Sequence, residues 1–442
     1  MIEFIQAEEQ NQSQWMAINM DSFRSEEEYA LELDAEDELA AFREAFVNDE
    51  PGMLYLDGNS LGRLPHCTIP RLKEVLEVDW GHDLIRSWNR VWYQAPARVG
   101  DQIARLLGAS PGQVVVSDST SVNLFKLVLA ALKLRPGRTR LVSDRLNFPS
   151  DLYILQGIIE LLGGAYALQL VPSPDGIVPD LQALSETVDE ETALVTLSHV
   201  AFKSGYLYNV GKITEDAHRV GALVLWDLSH SAGVVPVELD RWGVDLAVGC
   251  TYKHLNGGPG APAFLYVRRE LQESTRSPIW GWFGQRAPFA FDLDYTPAAG
   301  IVRFLAGTPP ILSLLAVEAG LEPLLRAGLA GIRRKSVQLG EYLIYLADLR
   351  LAPLGFTLGS PRDPDLRGSQ ISLRHPQGYQ INRALIEEMG VLPDFREPDN
   401  LRLGLAPLYT SYHEVWQAVD RIARVVVEGL YKKYPQQRLT VT

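Results

Sequence analysis

Two apolar runs in the middle of the chain each end on residues that can do chemistry. The run 222–226 ends on Asp227, and the run 245–251 leads directly to Tyr252 and Lys253. Buried strands that end on ionisable residues are typical of a site at the carboxyl edge of a parallel sheet, where open α/β sheets bind their ligands. The pattern therefore predicts that the carboxylate and the lysine share one site.

A carboxylate and a lysine in one site suit pyridoxal 5'-phosphate (PLP). The lysine forms a Schiff base with the cofactor, and Asp227 holds the pyridinium nitrogen in its protonated form. An ordinary strand-end carboxylate and a surface lysine explain the same two residues without a cofactor. The remaining residues of the chain decide between these two interpretations.

A hydroxyl-rich segment precedes a predicted helix. The apolar strand 114–117 is followed by the residues DSTSVN and then by apolar positions at helical spacing. The hydroxyl groups of Thr120 and Ser121, together with the free N–H groups of a helix N-terminus, suit a phosphate. Capping of the helix by Ser119, Thr120 or Ser121 is the alternative that needs no ligand.

Other candidate residues lie at the ends of neighbouring predicted strands. Phe148 is in a position to stack on a cofactor ring, and Asp151 is in a position to contact the phenolate side of that ring. Ser198 ends the strand that precedes Asp227 in the chain. His230 stands three residues after Asp227 and either shares the site or has a structural role.

Two residues outside these strand ends also have two interpretations each. Trp88 lies in a tryptophan-rich segment, which either packs in the core or lines a pocket for a flat substrate. Arg402 lies in a short strand-like run and is either a surface residue or a group that binds a carboxylate through two hydrogen bonds. Local sequence does not separate these alternatives.

The composition is that of a globular protein with a sizeable core. The chain has 442 residues, of which 46% are hydrophobic and 22% charged, and its formal net charge is −14. This acidic balance argues against a nucleic-acid partner. There is no signal-peptide pattern and no apolar run of membrane-spanning length. The two cysteines lack metal-ligand spacing and favour a reducing compartment. We therefore expect a cytoplasmic protein without a metal.

The alternation of strands and helices indicates the fold class. Strands alternate with helices over 113–270, which predicts an α/β protein with a mostly parallel, doubly wound sheet. From about residue 335 the pattern changes to helices with short strands, which predicts a smaller α+β domain. We also expect a helix that begins at Ser25 as its cap, and one long helix over 311–327.

The sequence resembles kynureninase, a PLP enzyme with the aspartate-aminotransferase-type fold. The resemblance extends from YLDGNSLG, at 55–62, to NLRLGLAPLY, at 400–409. Its most specific segments are, in chain order, NFPSD, LWDLSHSAG, VGCTYKHLNGGPGAPAF, GWFGQ and GTPPI. Each segment alone is a weak signal, but their succession in one chain is a strong one.

This resemblance implies a fold, a reaction and an assembly. The fold is PLP fold type I, with a seven-stranded large domain over 76–310 and a smaller α+β domain made by the segments 1–75 and 311–442. The reaction is the hydrolytic cleavage of the Cβ–Cγ bond of L-kynurenine to anthranilate and L-alanine, as part of tryptophan catabolism or NAD biosynthesis. The assembly is a homodimer whose active sites are shared between subunits.

The resemblance also implies roles for individual residues. Lys253 forms the Schiff base, Asp227 pairs with the pyridine nitrogen, Tyr252 is a candidate proton donor, and Arg402 holds the substrate carboxylate. The other cofactor contacts are Thr120 and Ser121, which bind the phosphate together with Tyr252; Phe148, which stacks on the ring; Asp151, Ser198 and His230 around it; and Trp282 and Thr308 of the neighbouring subunit.

Two positions imply a substrate preference. Animal kynureninases typically have His at the position of Trp88 and Asn at the position of Thr308, and this chain resembles the bacterial type at both. We therefore expect L-kynurenine to be preferred over its 3-hydroxy derivative, with Trp88 and Thr308 at the substrate.

Two other classes of protein compete with this interpretation. The first is another PLP enzyme of the same fold, such as an aminotransferase or a cysteine desulfurase. Neither Cys67 nor Cys250 stands where a desulfurase needs a nucleophile on a mobile loop, and GWFGQ and GTPPI argue against an aminotransferase. The second is a non-catalytic protein of the PLP fold, against which the intact Lys253 and Asp227 argue.

Overall fold

A sheet of seven strands organises the computed structural model, which describes residues 23–435 and 437. Residues 1–22 of the predicted segment 1–75 lie outside the described residues. The strands of this sheet and of two smaller sheets are, in chain order, β1 Leu54–Tyr55, β2 Val114–Val116, β3 Arg140–Asp144, β4 Ala167–Val171, β5 Thr192–Ser198, β6 Leu223–Asp227, β7 Leu246–Gly249, β8 Phe264–Val267, β9 Thr357–Leu358, β10 Gln370–Arg374, β11 Val391–Leu392, β12 Asp394–Arg396 and β13 Asn400–Gly404.

The central sheet has the strand order β2-β8-β7-β6-β5-β3-β4. The pairs from β7 to β4 are all parallel, and β8 runs antiparallel to both β2 and β7. Every residue of β5, β6, β7 and β8 is buried, as expected for strands covered on both faces. The predicted mostly parallel, doubly wound sheet is therefore confirmed.

Helices cover both faces of this sheet and pack on two hydrophobic clusters. In chain order the α-helices are α1 Glu27–Ala35, α2 Thr68–Glu74, α3 Ala95–Leu106, α4 Thr120–Leu134, α5 Pro149–Leu161, α6 Leu181–Thr187, α7 Val210–Arg219, α8 Arg269–Gln272, α9 Ile311–Gly320, α10 Glu322–Ala327, α11 Leu329–Arg350, α12 Gly378–Met389 and α13 Tyr412–Val427. None of the helices in the described part of the chain is long and apolar enough to cross a bilayer.

Shorter helical segments connect these elements. Two are π-helical, Val75–Trp80 and Trp88–Trp92, and the first continues α2 directly. The 3₁₀ segments are Ala40–Ala45, Leu84–Arg86, Trp282–Gly284, Pro288–Ala290, Gly300–Phe304, Ala352–Leu354, Pro364–Leu366 and Leu430–Lys433.

A second, smaller unit is built from the two ends of the described chain. Four antiparallel strands in the order β12-β13-β10-β9 form its sheet, and β1 pairs in parallel with β11 beside it. A third hydrophobic cluster lies here, with α11, α12 and α13 against the sheet. The predicted smaller α+β part is thus confirmed, and it places Arg402 in β13, a buried central strand rather than on the surface.

Two local predictions were wrong. The helix near Ser25 begins at Glu27, with Glu26 at the capping position and no side-chain cap. The helix predicted over 311–327 is two helices, α9 and α10, which meet at Leu321. Pro323 explains the break, because proline has no N–H to donate to the carbonyl of the preceding helical turn.

Candidate active site

A cavity of about 640 Å³ opens at the carboxyl edge of the central sheet. Its walls come from the loops that follow β2, β3, β5, β6 and β7, and from the smaller unit. Of the residues proposed from the sequence, it gathers Thr120, Ser121, Phe148, Asp151, Asp227, His230, Tyr252, Lys253 and Arg402. Residues far apart in the chain meet here because parallel strands end at the same edge.

Lys253 and His230 meet in the floor of this cavity. The Nζ atom of Lys253 lies 2.9 Å from Nε2 of His230. Burial lowers the pKa of His230 well below its usual value, and the positive charge of Lys253 acts in the same direction. The imidazole is therefore neutral, and its Nε2 accepts a hydrogen bond from the lysine. Its Nδ1 is buried and has no hydrogen-bond partner among the described residues.

Asp227 is fixed by its own strand end. Both the backbone N–H and the hydroxyl of Ser229 donate to Oδ1 of Asp227, at 2.8 and 2.6 Å. Burial raises the pKa of Asp227, and these bonds and the charge of Lys253 oppose that rise. Burial and the charge of Asp227 raise the pKa of Asp151 well above its usual value. Of the two carboxyl groups, Asp151 thus keeps the proton and Asp227 carries the negative charge.

The opposite wall is the N-terminus of α4. Ser119 caps this helix by accepting a hydrogen bond from the N–H of Val122 at 3.3 Å. Thr120 and Ser121 follow in the first turn, and the hydroxyl of Ser121 lies 3.3 Å from that of Ser150. Capping and anion binding are therefore compatible here, because the cap occupies one hydroxyl and leaves the others along the cavity wall.

Phe148 and Ser198 are connected through hydrogen bonds to Asn147. Phe148 is exposed to the cavity and lies edge-on to Phe202, with 5.3 Å between the ring centroids. Ser198 does not line the cavity. Its hydroxyl donates to Oδ1 of Asn147 at 2.7 Å, and the same oxygen accepts the N–H of Phe148 at 2.8 Å. Ser198 thus acts on the cavity through Asn147, which holds the loop that presents Phe148.

Arg402 enters the cavity from the smaller unit. Its Nε donates to Oδ1 of Asp394 at 3.0 Å, and one terminal nitrogen donates to the hydroxyl of Ser60 at 2.8 Å. Arg396 also pairs with Asp394, at 2.9 Å, and lines the same cavity. Burial and the Asp394 carboxylate raise the pKa of Asp57 to about 7. Two arginines therefore line this wall, and two carboxyl groups lie close to them outside the lining of the cavity.

Besides Ser198, three proposed residues lie outside the cavity within the single chain. Trp88 packs against Trp92 and Phe283, with ring centroids 5.5 and 5.6 Å apart, so it belongs to an aromatic cluster. Trp282, also in contact with Phe283, keeps 38% of its surface exposed, and Thr308 is exposed. The exposure of these two residues agrees with a role that requires a second subunit.

Sequence reasoning missed several residues of the cavity. Ser60, Phe202, Arg396 and Pro310 line it, and Asp394 holds both arginines. Arg396 was detectable in principle, because it stands on the strand next to Arg402 and the two could share a carboxylate. Ser60 and Phe202 carry no local signal, since their positions depend on how the smaller unit packs on the central sheet.

Comparisons with known proteins agree on the family. The kynureninase of Pseudomonas fluorescens is 45% identical over 401 residues, which cover 90% of this chain and 94% of that protein. The chain belongs to the kynureninase family. The kynureninase of Burkholderia pseudomallei (strain 1106a) is likewise 45% identical over 404 residues, with 90% of this chain and 95% of that protein covered. A model of the kynureninase C-terminal domain matches residues 332–422.

Solved structures with a similar fold are more distant in sequence. The apo cysteine desulfurase of Thermococcus onnurineus NA1 has a TM-score of 0.74 at 20% identity, with 85% of this chain and 95% of that chain covered. A C-DES mutant with glycine covalently linked to its PLP cofactor has a TM-score of 0.73 at 18% identity, with 84% and 97% covered. The kynureninase family thus shares PLP fold type I with these proteins, which confirms the predicted fold class.

The residues of the cavity fit PLP, the cofactor of the family. A lysine for the Schiff base, a buried charged carboxylate and a helix N-terminus with hydroxyl groups lie around one space. The buried, unpartnered Nδ1 of His230 also leaves a polar atom for a ligand on this wall. The prediction of PLP is therefore confirmed.

Proposed function

We propose that this protein hydrolyses L-kynurenine to anthranilate and L-alanine with PLP. The observation that carries the proposal is one cavity in which Lys253 and Asp227 face Arg402, in a chain 45% identical to kynureninases over nine-tenths of its length. The cofactor end lies on the central sheet and the substrate end on the smaller unit. An amino acid bound between them presents its amine to the lysine side and its carboxylate to the arginine.

Bound PLP supplies an electron sink that makes the Cα proton of an amino-acid substrate acidic. Asp227 serves this chemistry because a buried carboxylate fixed by Ser229 stabilises a protonated ring nitrogen. Thr120 and Ser121 would bind the phosphate at the start of α4, and Phe148 would stack on the ring. Asp151 and His230 would contact the cofactor from the surrounding walls, while Ser198 fixes the Phe148 loop through Asn147.

Proton transfer is the work of Lys253 and Tyr252. Lys253 Nζ would take the proton from Cα of the substrate, and the neutral His230 accepts a hydrogen bond that holds the lysine amine in place. Burial raises the pKa of Tyr252, so its phenol keeps its proton and acts as a donor. Addition of water to the γ-carbonyl and breakage of the Cβ–Cγ bond would leave the hydroxyl group of water on the anthranilate carboxyl, while Cβ would receive the proton of Tyr252, which the second proton of water would replace.

Arg402 binds the substrate carboxylate. The N–H groups of its guanidinium donate to Asp394 and Ser60, so the guanidinium is oriented before the substrate arrives. This fixed orientation suits catalysis, because the guanidinium loses little conformational freedom when the carboxylate binds. Arg396, on the same carboxylate partner, adds positive charge to this end of the cavity.

The active enzyme is a homodimer in which Trp282 and Thr308 complete the site of the neighbouring subunit. Support comes from their exposure in the single chain and from the apolar surface around them, where Trp280, Phe289, Phe291 and Leu293 are also exposed. Trp88 and Thr308 favour L-kynurenine over 3-hydroxykynurenine. Since Trp88 packs in the cluster with Trp92 and Phe283, it acts by shaping the wall under that surface.

The proposal extends to domain division and location. The large domain covers 76–310, and the smaller domain combines 1–75 with 311–442; the pairing of β1 with β11 supports this division. We place the enzyme in the cytoplasm, in tryptophan catabolism or NAD biosynthesis. Both cysteines, Cys67 and Cys250, are free thiols, which supports a reducing compartment.

The deciding experiment mixes the purified, PLP-loaded protein with L-kynurenine and measures anthranilate by fluorescence and alanine in parallel. Equal amounts of both products are expected. A cofactor spectrum that shifts without release of anthranilate would contradict the proposal and favour transamination. The same assay with 3-hydroxykynurenine should give a lower kcat/KM.

Desulfuration, the activity that the fold neighbours' names suggest, is the competing function. It needs a reactive cysteine at the cavity, and neither Cys67 nor Cys250 lines it. Burial raises the pKa of Cys250, which keeps this thiol protonated and weakly nucleophilic. Release of sulfide from L-cysteine is therefore not expected.

A further inference from the structure

Lys126 is a lysine without access to water. Its side chain is fully buried in the second turn of α4, behind the wall that carries Thr120 and Ser121. The Nζ atom donates to Oδ2 of Asp118 and to the carbonyl oxygen of Phe304, both at 2.7 Å, and to the hydroxyl of Ser117 at 3.4 Å. Three acceptors for three donors satisfy the ammonium completely, which is what a buried charge requires.

Asp118 is the acidic residue of the phosphate wall, which is the segment 118–121 at the N-terminus of α4. It lines the cavity directly before Ser119, and about a third of its side chain is exposed there. Its backbone adopts a left-handed conformation, with φ at 49°, and its carbonyl accepts the N–H of Ala263 at 2.8 Å. The carboxylate thus stands at the start of the helix that receives the cofactor phosphate.

A carboxylate beside a phosphate site repels the ligand unless its charge is balanced. Lys126 supplies that balance from inside the protein, where water does not screen it. Burial lowers the pKa of Lys126, and the charge of Asp118, 2.7 Å away, opposes this effect. No other lysine or arginine within the described residues is paired with Asp118.

We propose that Lys126 is a positioning residue for the cofactor phosphate: it neutralises Asp118 and holds the turn 117–119 in the shape that receives the anion. The inference rests on PLP as the cofactor of the proposed function. The bond to Phe304 extends this role, because the segment after Phe304 leads to Thr308 and to Pro310, which lines the cavity. The buried ammonium of Lys126 therefore links the start of α4 to the segment that leads from Phe304 to Pro310.

The test compares two ligands that differ only in the phosphate. The apo form of the full chain is titrated with PLP and with pyridoxal, and Kd is measured for each from the absorbance of the Schiff base with Lys253. In Lys126→Met the uncompensated Asp118 should raise the Kd for PLP at least ~10-fold more than the Kd for pyridoxal. No kynurenine is present, so failure of this inference and failure of the proposed reaction are distinguishable.

Lys335→Met is the matched control. Lys335 is also buried and paired with a carboxylate, Asp37, at 2.6 Å, but it lies in a separate cavity between α1 and α11. This variant loses the same buried ion pair away from the phosphate. We expect the ratio of the two Kd values to stay within about twofold of the wild-type ratio.

Asp118→Asn separates charge from shape. The amide keeps nearly the same size but removes the negative charge next to the phosphate, so the ratio of Kd for PLP to Kd for pyridoxal should stay equal or fall. Parallel losses for both ligands in Lys126→Met would overturn the inference, because they indicate a general structural role. A ratio that rises tenfold in Asp118→Asn would overturn it as well, and this arm remains decisive if Lys126→Met does not fold.

Discussion

The Nζ atom of Lys253 lies 2.9 Å from Nε2 of His230, although the two residues follow different strands of the central sheet. Burial keeps the imidazole neutral, so it accepts rather than donates in this pair. The neutral imidazole therefore holds Lys253 in place without adding a second positive charge to the cavity.

Replacement of Lys253 by alanine should abolish turnover of L-kynurenine. In the proposed function Lys253 both bonds to the cofactor and moves the Cα proton, so we expect kcat to fall by on the order of 10³-fold or more. Borohydride reduction should no longer attach PLP to the protein, as mass spectrometry would show. Lys212→Ala, on the exposed face of α7, is the control and should retain wild-type activity.

Asp227→Asn should bind PLP but turn over slowly. Asparagine can keep the hydrogen bonds from Ser229 but lacks the charge that stabilises a protonated ring nitrogen. We expect kcat to fall by about 10²- to 10⁴-fold while KM changes little, as measured by steady-state anthranilate release. Turnover close to that of the wild type would refute the assignment of this residue.

Arg402→Lys should act mainly on substrate binding. Lysine keeps the positive charge but cannot make the paired hydrogen bonds of a guanidinium, so KM for L-kynurenine should rise by about 10- to 100-fold. The absorbance spectrum of bound PLP should not change, since Arg402 lies at the other end of the cavity. An unchanged KM would transfer the carboxylate-binding role to Arg396.

Stability should fall as the pH drops below neutrality. Burial lowers the pKa of His199 and His254 to about 3, and it lowers that of His230 in the same direction. The unfolded chain binds protons near pH 6.5, so the stabilisation by neutral histidines is complete above that pH and is lost as the pH falls from about 6.5 towards 3. The thermal midpoint should therefore drop between pH 7.5 and pH 5.

His199→Phe is the variant that isolates this effect. His199 packs edge-on against Trp226 and Trp242, so a phenyl ring fills its place without a titrating group. The thermal midpoint of the variant should depend less steeply on pH than that of the wild type. Identical slopes would mean that other groups control the acid sensitivity.

Mixed dimers test whether the active site is shared. Trp282→Ala and Lys253→Ala should each be nearly inactive alone. If Trp282 serves the neighbouring subunit, unfolding and refolding an equal mixture places both substitutions in one site and leaves one site intact in each mixed dimer. The mixture should then regain about one quarter of wild-type activity. No gain above the separate variants would show that Trp282 serves its own subunit.

The site residues that follow strands could be predicted from the sequence. Asp227 and Lys253 follow continuous apolar runs, Phe148 follows the strand β3, and a parallel sheet brings such positions to one edge. The hydroxyl-rich start of α4 was visible for the same reason, because it follows β2. These features depend on short segments whose pattern carries the information.

The wall that carries Arg402 and Arg396 was only partly predictable, because Ser60 reaches it from a distant segment of the chain. Arg402, Arg396 and Asp394 meet because β12 and β13 are antiparallel neighbours, and Ser60 joins them from the other end of the chain. Local sequence left Arg402 as either a surface residue or a group that binds a carboxylate, and its place in a buried central strand excludes the surface alternative. Ser198 was predicted at the cofactor, but its hydroxyl donates to Asn147 and does not line the cavity.

The pairing of β1 with β11 sets an order of events during biosynthesis. Leu54 pairs with Val391 and Tyr55 with Leu392, so β1 has no partner until residues 391 and 392 have been synthesised. At about 5–20 residues per second this delay is tens of seconds. The start of α4 and Lys253 belong to segments made earlier. The ribosome therefore delivers the residues proposed to hold the cofactor before β1 finds its partner and before the arginine proposed to bind the substrate is made.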